Sequence, residues 1–296
     1  MDNLIKTTDL TKHYGGFSLD HLSFTLPAGC VTGLVGSNGA GKTTTIKALM
    51  GLISLDGGTI ELFDHPFDTH SPSKETVRAK SRIGFVFDSC DIVGDLQVRD
   101  AGSITRVSYR TYDDDCFEKY CALFSLDPKK KIKDLSRGMS MKLQIACALA
   151  HEPDLLILDE VTSGLDPLAR NEVLDILRDY MLTENRGILI SSHITSDLEK
   201  IADTIICLDK GRLIFDLPKD QITDTAGIAH CGSLDFEIML SSGFFEPETL
   251  RFIQNPYEIT VLVEDRYRFM QHFPSISCEK SSIDDYLNLI LKGELK

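Results

Sequence analysis

The chain has 296 residues, 42% apolar and 26% charged, with 21 glycines, which suits one large domain or a large and a small one and argues against disorder. Its 31 Lys and Arg against 45 Asp and Glu give a formal net charge of -14; that field repels phosphate backbones, so nucleic acid is not an expected partner. No apolar run approaches the roughly 18 residues of a bilayer-spanning helix. The start MDNLIKTTDL has no signal-peptide apolar core, so the chain itself is expected to cross no membrane. Eight scattered cysteines without a Cys-x-x-Cys fit a reducing cytosol; Cys116 and Cys121 read as structural thiols, and no cysteine-held metal is expected.

In chain order, LIKTTDLTKHY and FSLDHLSFTL alternate apolar and polar positions as half-buried strands do, and VTGLV at 31–35 reads as a buried strand. A short helix over 42–51 ends at Gly51, and strands follow at 59–63 and 82–87. Residues 97–124 read as helical, broken near Asp113–Asp115, where an acid can cap a second helix. A long helix spans 136–150, a fully buried strand 155–158, and Pro167 opens a helix carrying Val173, Leu174, Leu177, Tyr180 and Met181 at helical spacing. GILIS at 187–191 is again a strand. Helices alternating with near-continuous apolar strands predict an α/β architecture with a largely parallel sheet. Beyond 218 the spacing predicts strands in LDFEIML and EITVLVE and helices near 247–254, 265–273 and 283–292. The expected division is therefore 1–217 and a small α+β domain, 218–296, packed closely against it.

Gly36-Ser37-Asn38-Gly39-Ala40-Gly41-Lys42-Thr43 follows a buried strand and opens a helix, the context a phosphate-binding P-loop needs. Its glycines let backbone N–H groups and the positive helix end wrap a polyphosphate; Lys42 reaches the β- and γ-phosphates and Thr43 can ligate magnesium, with Thr44 beside it. Asp159 and Glu160 end the apolar run LLIL, at the sheet edge where an α/β protein binds its ligand. Asp159 suits a magnesium shell and Glu160 suits polarising the attacking water.

The order of motifs resembles the nucleotide-binding subunits of ABC transporters over residues 4–215. The resemblance rests on Gly36–Thr43, the signature-like Leu135-Ser136-Arg137-Gly138-Met139, Leu155–Glu160, Ser163-Gly164-Leu165-Asp166, and His193 after ILISS. It implies a P-loop NTPase of ABC type, with a mostly parallel core, an antiparallel β subdomain and a small helical subdomain over about 89–150. It further implies ATP and magnesium as ligands, and two such domains facing head to tail with ATP between the P-loop of one and Ser136 and Gly138 of the other. Tyr14 matches the aromatic that stacks on adenine, His193 the histidine that contacts the γ-phosphate, and Asp166 the loop that communicates across the dimer, besides being a helix N-cap before Pro167.

Four positions depart from that pattern: Asp88 stands for the usual Gln, Arg137 and Met139 for the usual Gly and Gln of the signature, and Val161 for Pro. An acid at 88 can reach magnesium through water but cannot donate as an amide does. The resemblance implies a bacterial exporter ATPase that pairs with a separately encoded transmembrane permease, as homodimer or heterodimer, peripheral on the cytoplasmic face, for peptide, antibiotic or lipid-like cargo. Ile92, Val93 and Leu96 are candidates for the permease contact. A soluble ABC-type ATPase with no permease and a weakly hydrolytic regulatory subunit are the alternative readings.

Overall fold

The computed structural model describes residues 2–68, 73–88, 94–245 and 250–295; Ile92 and Val93 lie outside them. The chain divides into two compact units, Met1–Asp216 and Leu217–Lys296. The first runs through β1 (Asn3–Tyr14), β2 (Phe17–Pro27), β3 (Val31–Gly36), α1 (Lys42–Leu49), β4 (Gly57–Leu62), β5 (His65–Phe67), α2 (Lys74–Lys80) and β6 (Ile83–Val86). Three helices follow, α3 (Val98–Ser108), α4 (Asp114–Leu123) and α5 (Arg137–Leu149). Then come β7 (Leu155–Asp159), α6 (Pro167–Met181), β8 (Gly187–Ser191), α7 (Thr195–Ile201), β9 (Thr204–Asp209) and β10 (Arg212–Pro218).

One sheet has the order β10-β9-β3-β8-β7-β6, and β9, β3, β8, β7 and β6 run parallel. Every residue of β7 and β8 is buried, which is why LLIL and GILI read as apolar runs without alternation. The second sheet, β2-β1-β4-β5, is antiparallel, and β1 and β2 alternate because one of their faces is covered. Leu19, Leu22 and Ile60 of that sheet share one core with Ile46 and Leu49 of α1 and with Ile157 and Leu189 of the parallel sheet. At roughly 1.5–3 kcal/mol for each fully buried aliphatic side chain, this core fixes α1, and with it the phosphate loop, against the strand ends.

Helix caps follow the sequence. Asp113 accepts the Asp115 amide at 2.9 Å, Ser136 accepts the Met139 amide at 3.3 Å, and Asp166 accepts the amides of Leu168 and Ala169 at 3.0 Å. Strands β9 and β10 were not legible beforehand; Lys210 and Gly211, both at positive φ, make the two-residue turn between them.

The second unit contains β11 (Gly227–Cys231), α8 (Ser233–Ser241), β12 (Arg251–Gln254), β13 (Ile259–Val263), α9 (Arg266–His272), β14 (Ser277–Lys280), α10 (Ile283–Lys292) and β15 (Glu294–Leu295). Its sheet order, β14-β11-β13-β12-β15, with antiparallel neighbours, contains the ferredoxin-like βαββαβ arrangement. Phe236 and Met239 of α8 and Phe269 of α9 fill one face of the sheet, and Leu289 of α10 packs with Ile228 and Leu262 on the other.

Two expectations are corrected here. LDFEIML is helix α8, not a strand: Phe236 and Met239 are buried three residues apart while Leu234 and Ile238 are exposed, and so short an apolar run fits either period. Residues 251–254 are strand β12, not helix; Phe252 turns inward between less buried neighbours and pairs with Val261. EITVLVE and the helices near 265–273 and 283–292 agree with β13, α9 and α10.

Candidate functional site

The C-terminal ends of β3, β6, β7 and β8 meet at one edge of the parallel sheet, and the loops leaving them line a cavity of about 440 Å³. From β3 come Asn38, Gly39, Ala40, Gly41, Lys42, Thr43 and Thr44; from β6, Asp88; from β7, Glu160 and Ser163; from β8, His193. Ligands of α/β sheets bind at this edge because the loops and helix N-termini face it.

Gly36 ends β3 at φ +150, and a Cβ there would lie 2.2 Å from the Leu208 carbonyl oxygen, so only glycine lets the chain turn beside β9. Ser37 donates its hydroxyl to Asp209 at 3.1 Å. The Lys42 ammonium, nearly buried, donates to the Gly36 carbonyl at 2.8 Å and to that of Ser37 at 3.4 Å. It therefore lies across the mouth of the loop, where an anionic phosphate is its natural counter-charge.

Asp159 ends β7 and is buried. Its Oδ2 accepts the Thr43 hydroxyl at 3.0 Å and its Oδ1 the Ser191 hydroxyl at 2.5 Å. A hydroxyl and a carboxylate so close are the hard oxygen pair that magnesium uses when phosphates and water complete its shell. Among the described residues no three His, Cys, Asp or Glu side chains converge as a metal cage, and the donor set suits a cation brought with a nucleotide.

Glu160 has φ +54, a strained conformation for a non-glycine residue that turns it out of the strand direction. Its amide donates to the Ser191 hydroxyl at 3.1 Å and to the Ser191 carbonyl at 3.1 Å. His193 Nδ1 lies 2.5 Å from Glu160 Oε2, and the His193 amide donates to the same oxygen at 3.4 Å. A carboxylate held this way can take a proton from water at the cavity, and the imidazole fixes its orientation.

The other expected residues lie around this centre. Tyr14 is half exposed at the end of β1, with the Lys12 ammonium 5.7 Å from its ring centroid; Phe17, three residues on, is the aromatic that lines the cavity. Ser136 and Gly138 open α5 outside the cavity lining, and a Cβ on Gly138 would be 3.4 Å from Leu165. Asp166 caps α6, and the Ala169 amide holds its carboxyl below the ordinary range. Leu96 is half buried. Sequence reasoning missed Phe17 and Ser191 as site residues. Phe17 carried no signal beyond its place after the Gly-Gly turn, whereas Ser191 was marked by its position directly after ILI.

A strand–loop–helix presenting amides and a lysine to a phosphate, with a carboxylate pair on a neighbouring strand, defines the class of P-loop nucleoside triphosphate hydrolases. A family model described as ABC transporter matches residues 19–163. The bacitracin transport ATP-binding protein of Bacillus licheniformis is 37% identical over 225 residues, 75% of this chain and 72% of that protein. The daunorubicin/doxorubicin resistance ATP-binding protein of Streptomyces peucetius is 34% identical over 227 residues, 75% and 68% of the two chains. A solved ATP-binding subunit of an ABC transporter superposes with a TM-score of 0.66 at 26% identity, over 74% of this chain and 91% of that one. A dimeric ATP-binding cassette bound to ADP and phosphate, 19% identical, shares the fold, with a TM-score of 0.65 over 72% and 98% of the chains. The chain belongs to the ABC transporter family, as one of its ATP-binding subunits. It is an ATPase of the transport type, and among the described residues no helix is long and apolar enough to cross a membrane.

Proposed function

We propose that this chain is the motor subunit of an exporter: it pairs head to tail with a second cassette, homodimeric or heterodimeric, and drives a separate transmembrane permease from the cytoplasmic face. The observation that carries the reading is the convergence of Lys42, Thr43, Asp159, Glu160 and His193 at one sheet edge. The names of the relatives, bacitracin transport, drug resistance and Nod factor export, support an exported cargo of peptide, antibiotic or lipid-like chemistry.

In this reading Gly36 to Gly41 wrap the phosphates with backbone amides, Lys42 binds the β- and γ-phosphate oxygens, and Tyr14 stacks on adenine. Thr43 and Asp159 would hold magnesium; the ion would supply neutralisation of the phosphate charge. Glu160 orients a water and accepts its proton as the water oxygen bonds to the γ-phosphorus and the bond to the bridging β–γ oxygen breaks, releasing ADP and phosphate. His193 holds Glu160 in place and contacts the γ-phosphate. Ser136 and Gly138 complete the partner's site, and Asp166 lies at the contact between cassettes.

Sizing of the Glu160→Gln chain with and without ATP, beside wild-type turnover measured against protein concentration, tests the pairing. An ATP-dependent dimer and turnover per subunit that rises with concentration are expected of a homodimer. A chain that binds ATP yet stays monomeric, with concentration-independent turnover, contradicts homodimeric pairing and leaves a heterodimer with an unlike cassette as the form this reading takes.

A further inference from the structure

Two departures from the family pattern, 49 residues apart in sequence, touch. Arg137 Nη2 donates to Asp88 Oδ1 at 2.6 Å. The same guanidinium lies over Gly164: a Cβ there would be 3.0 Å from Cζ and Nη1 and 3.1 Å from Nε. With φ +71, Gly164 both permits the turn after Glu160 and leaves the flat space that Arg137 fills. One side chain thus joins the loop after β6, the loop after β7 and the first turn of α5.

The electrostatics explain why the two changes belong together. Arg137 is the first residue of α5, the positive end of the helix, and no acid lies in that first turn, so a cation there needs a counter-charge from elsewhere. Asp88 lines the same cavity as Lys42 and Thr43, so an unneutralised carboxylate there would repel nucleotide phosphates. Each charge alone is misplaced; together they cancel.

We propose that Arg137 is a positioning residue for nucleotide binding: through its ion pair with Asp88 and its packing on Gly164 it neutralises and fixes the carboxylate at the nucleotide cavity, so that residues 88 and 137 act as one substituted unit. The inference rests on the nucleotide reading of the cavity and assigns the departures a joint role within one subunit, on the chain's own site.

The test is a double-mutant cycle in the full-length chain, read as the Kd for MgATP. Arg137→Gly is expected to weaken binding about tenfold, because it strands the Asp88 carboxylate beside the phosphates. Arg137→Gly combined with Asp88→Gln is expected to bind within about threefold of wild type, and Arg137→Lys to fall between wild type and Arg137→Gly. Hydrogen exchange without nucleotide supplies a second readout: amides of 86–88 and 163–165 exchange faster in Arg137→Gly and stay near wild type in Arg137→Lys. The pair is half exposed, so these variants fold, which thermal unfolding checks. A double variant whose loss is the product of the two single losses, or an Arg137→Gly chain with wild-type Kd and exchange, overturns the proposal. A wild-type chain that binds no MgATP overturns the nucleotide reading and the proposal's function with it, while the exchange data still decide whether Arg137 orders the two loops.

Discussion

His193 Nδ1 sits 2.5 Å from Glu160 Oε2, joining the second residue after β8 to the first residue after β7. The pair spans 33 positions of sequence because β7 and β8 are parallel neighbours, with Asp159 opposite Ser191. The register therefore brings the imidazole to the Glu160 carboxylate.

Replacing His193 by Ala leaves Glu160 without that anchor. Steady-state ATP hydrolysis is expected to fall by roughly two orders of magnitude in kcat, with the Kd for MgATP changed by less than about threefold. A weakened Kd with kcat unchanged would place His193 in binding alone.

Ser191 serves both acids, donating to Asp159 Oδ1 and accepting the Glu160 amide. Ser191→Ala leaves buried polar atoms without that partner and is expected to cost about 1–3 kcal/mol of stability. It is also expected to raise the magnesium concentration needed for half-maximal turnover. Chemical denaturation and a magnesium titration of the rate read the two effects separately.

Behind the site, Asp197 of α7 is fully buried, among the described residues neither carboxylate oxygen is hydrogen-bonded, and Arg170 of α6 approaches to 3.6 Å. Removing the cation leaves a buried charge uncompensated, so Arg170→Met is expected to destabilise the first unit by about 3–5 kcal/mol. That lowers its Tm by roughly 6–20 °C. Substituting Asp197 and Arg170 together by apolar residues of similar volume is expected to recover most of the loss.

His151 is buried, stacked on Tyr109 with ring centroids 3.8 Å apart, and among the described residues neither ring nitrogen has a hydrogen-bond partner. Burial pushes its pKa down from 6.5 to about 4. Between those values the unfolded chain binds more protons than the fold. Its contribution is thus full above about pH 6.5 and is lost as pH falls toward 4, on the order of 3 kcal/mol in all. His151→Phe keeps the stack and is expected to flatten the loss of Tm between pH 6.5 and 4.5; an unchanged acid slope would assign that loss to other groups.

The core and most of the nucleotide edge were legible because buried parallel strands are short apolar runs, and because each run is followed by the residue its edge requires: Gly36, Asp159 and His193. What stayed hidden depended on contacts between distant segments. No local pattern distinguishes Phe17 from an ordinary strand start, and nothing near 88 or 137 announces that their charges meet. In the second unit α8 and β12 were exchanged because four to seven apolar-rich residues satisfy either period until a sheet partner, here β13 for β12, settles which one wins.

The measurement that bears most directly on the account is magnesium-dependent ATP turnover of the Glu160→Gln chain beside its Kd for MgATP. The amide keeps the shape and the contact with His193 but cannot take the proton from water. The account expects kcat to drop at least about a hundredfold while Kd stays within about threefold of wild type. Turnover at the wild-type rate would contradict the assignment of Glu160 and, with it, the chemistry derived for this sheet edge.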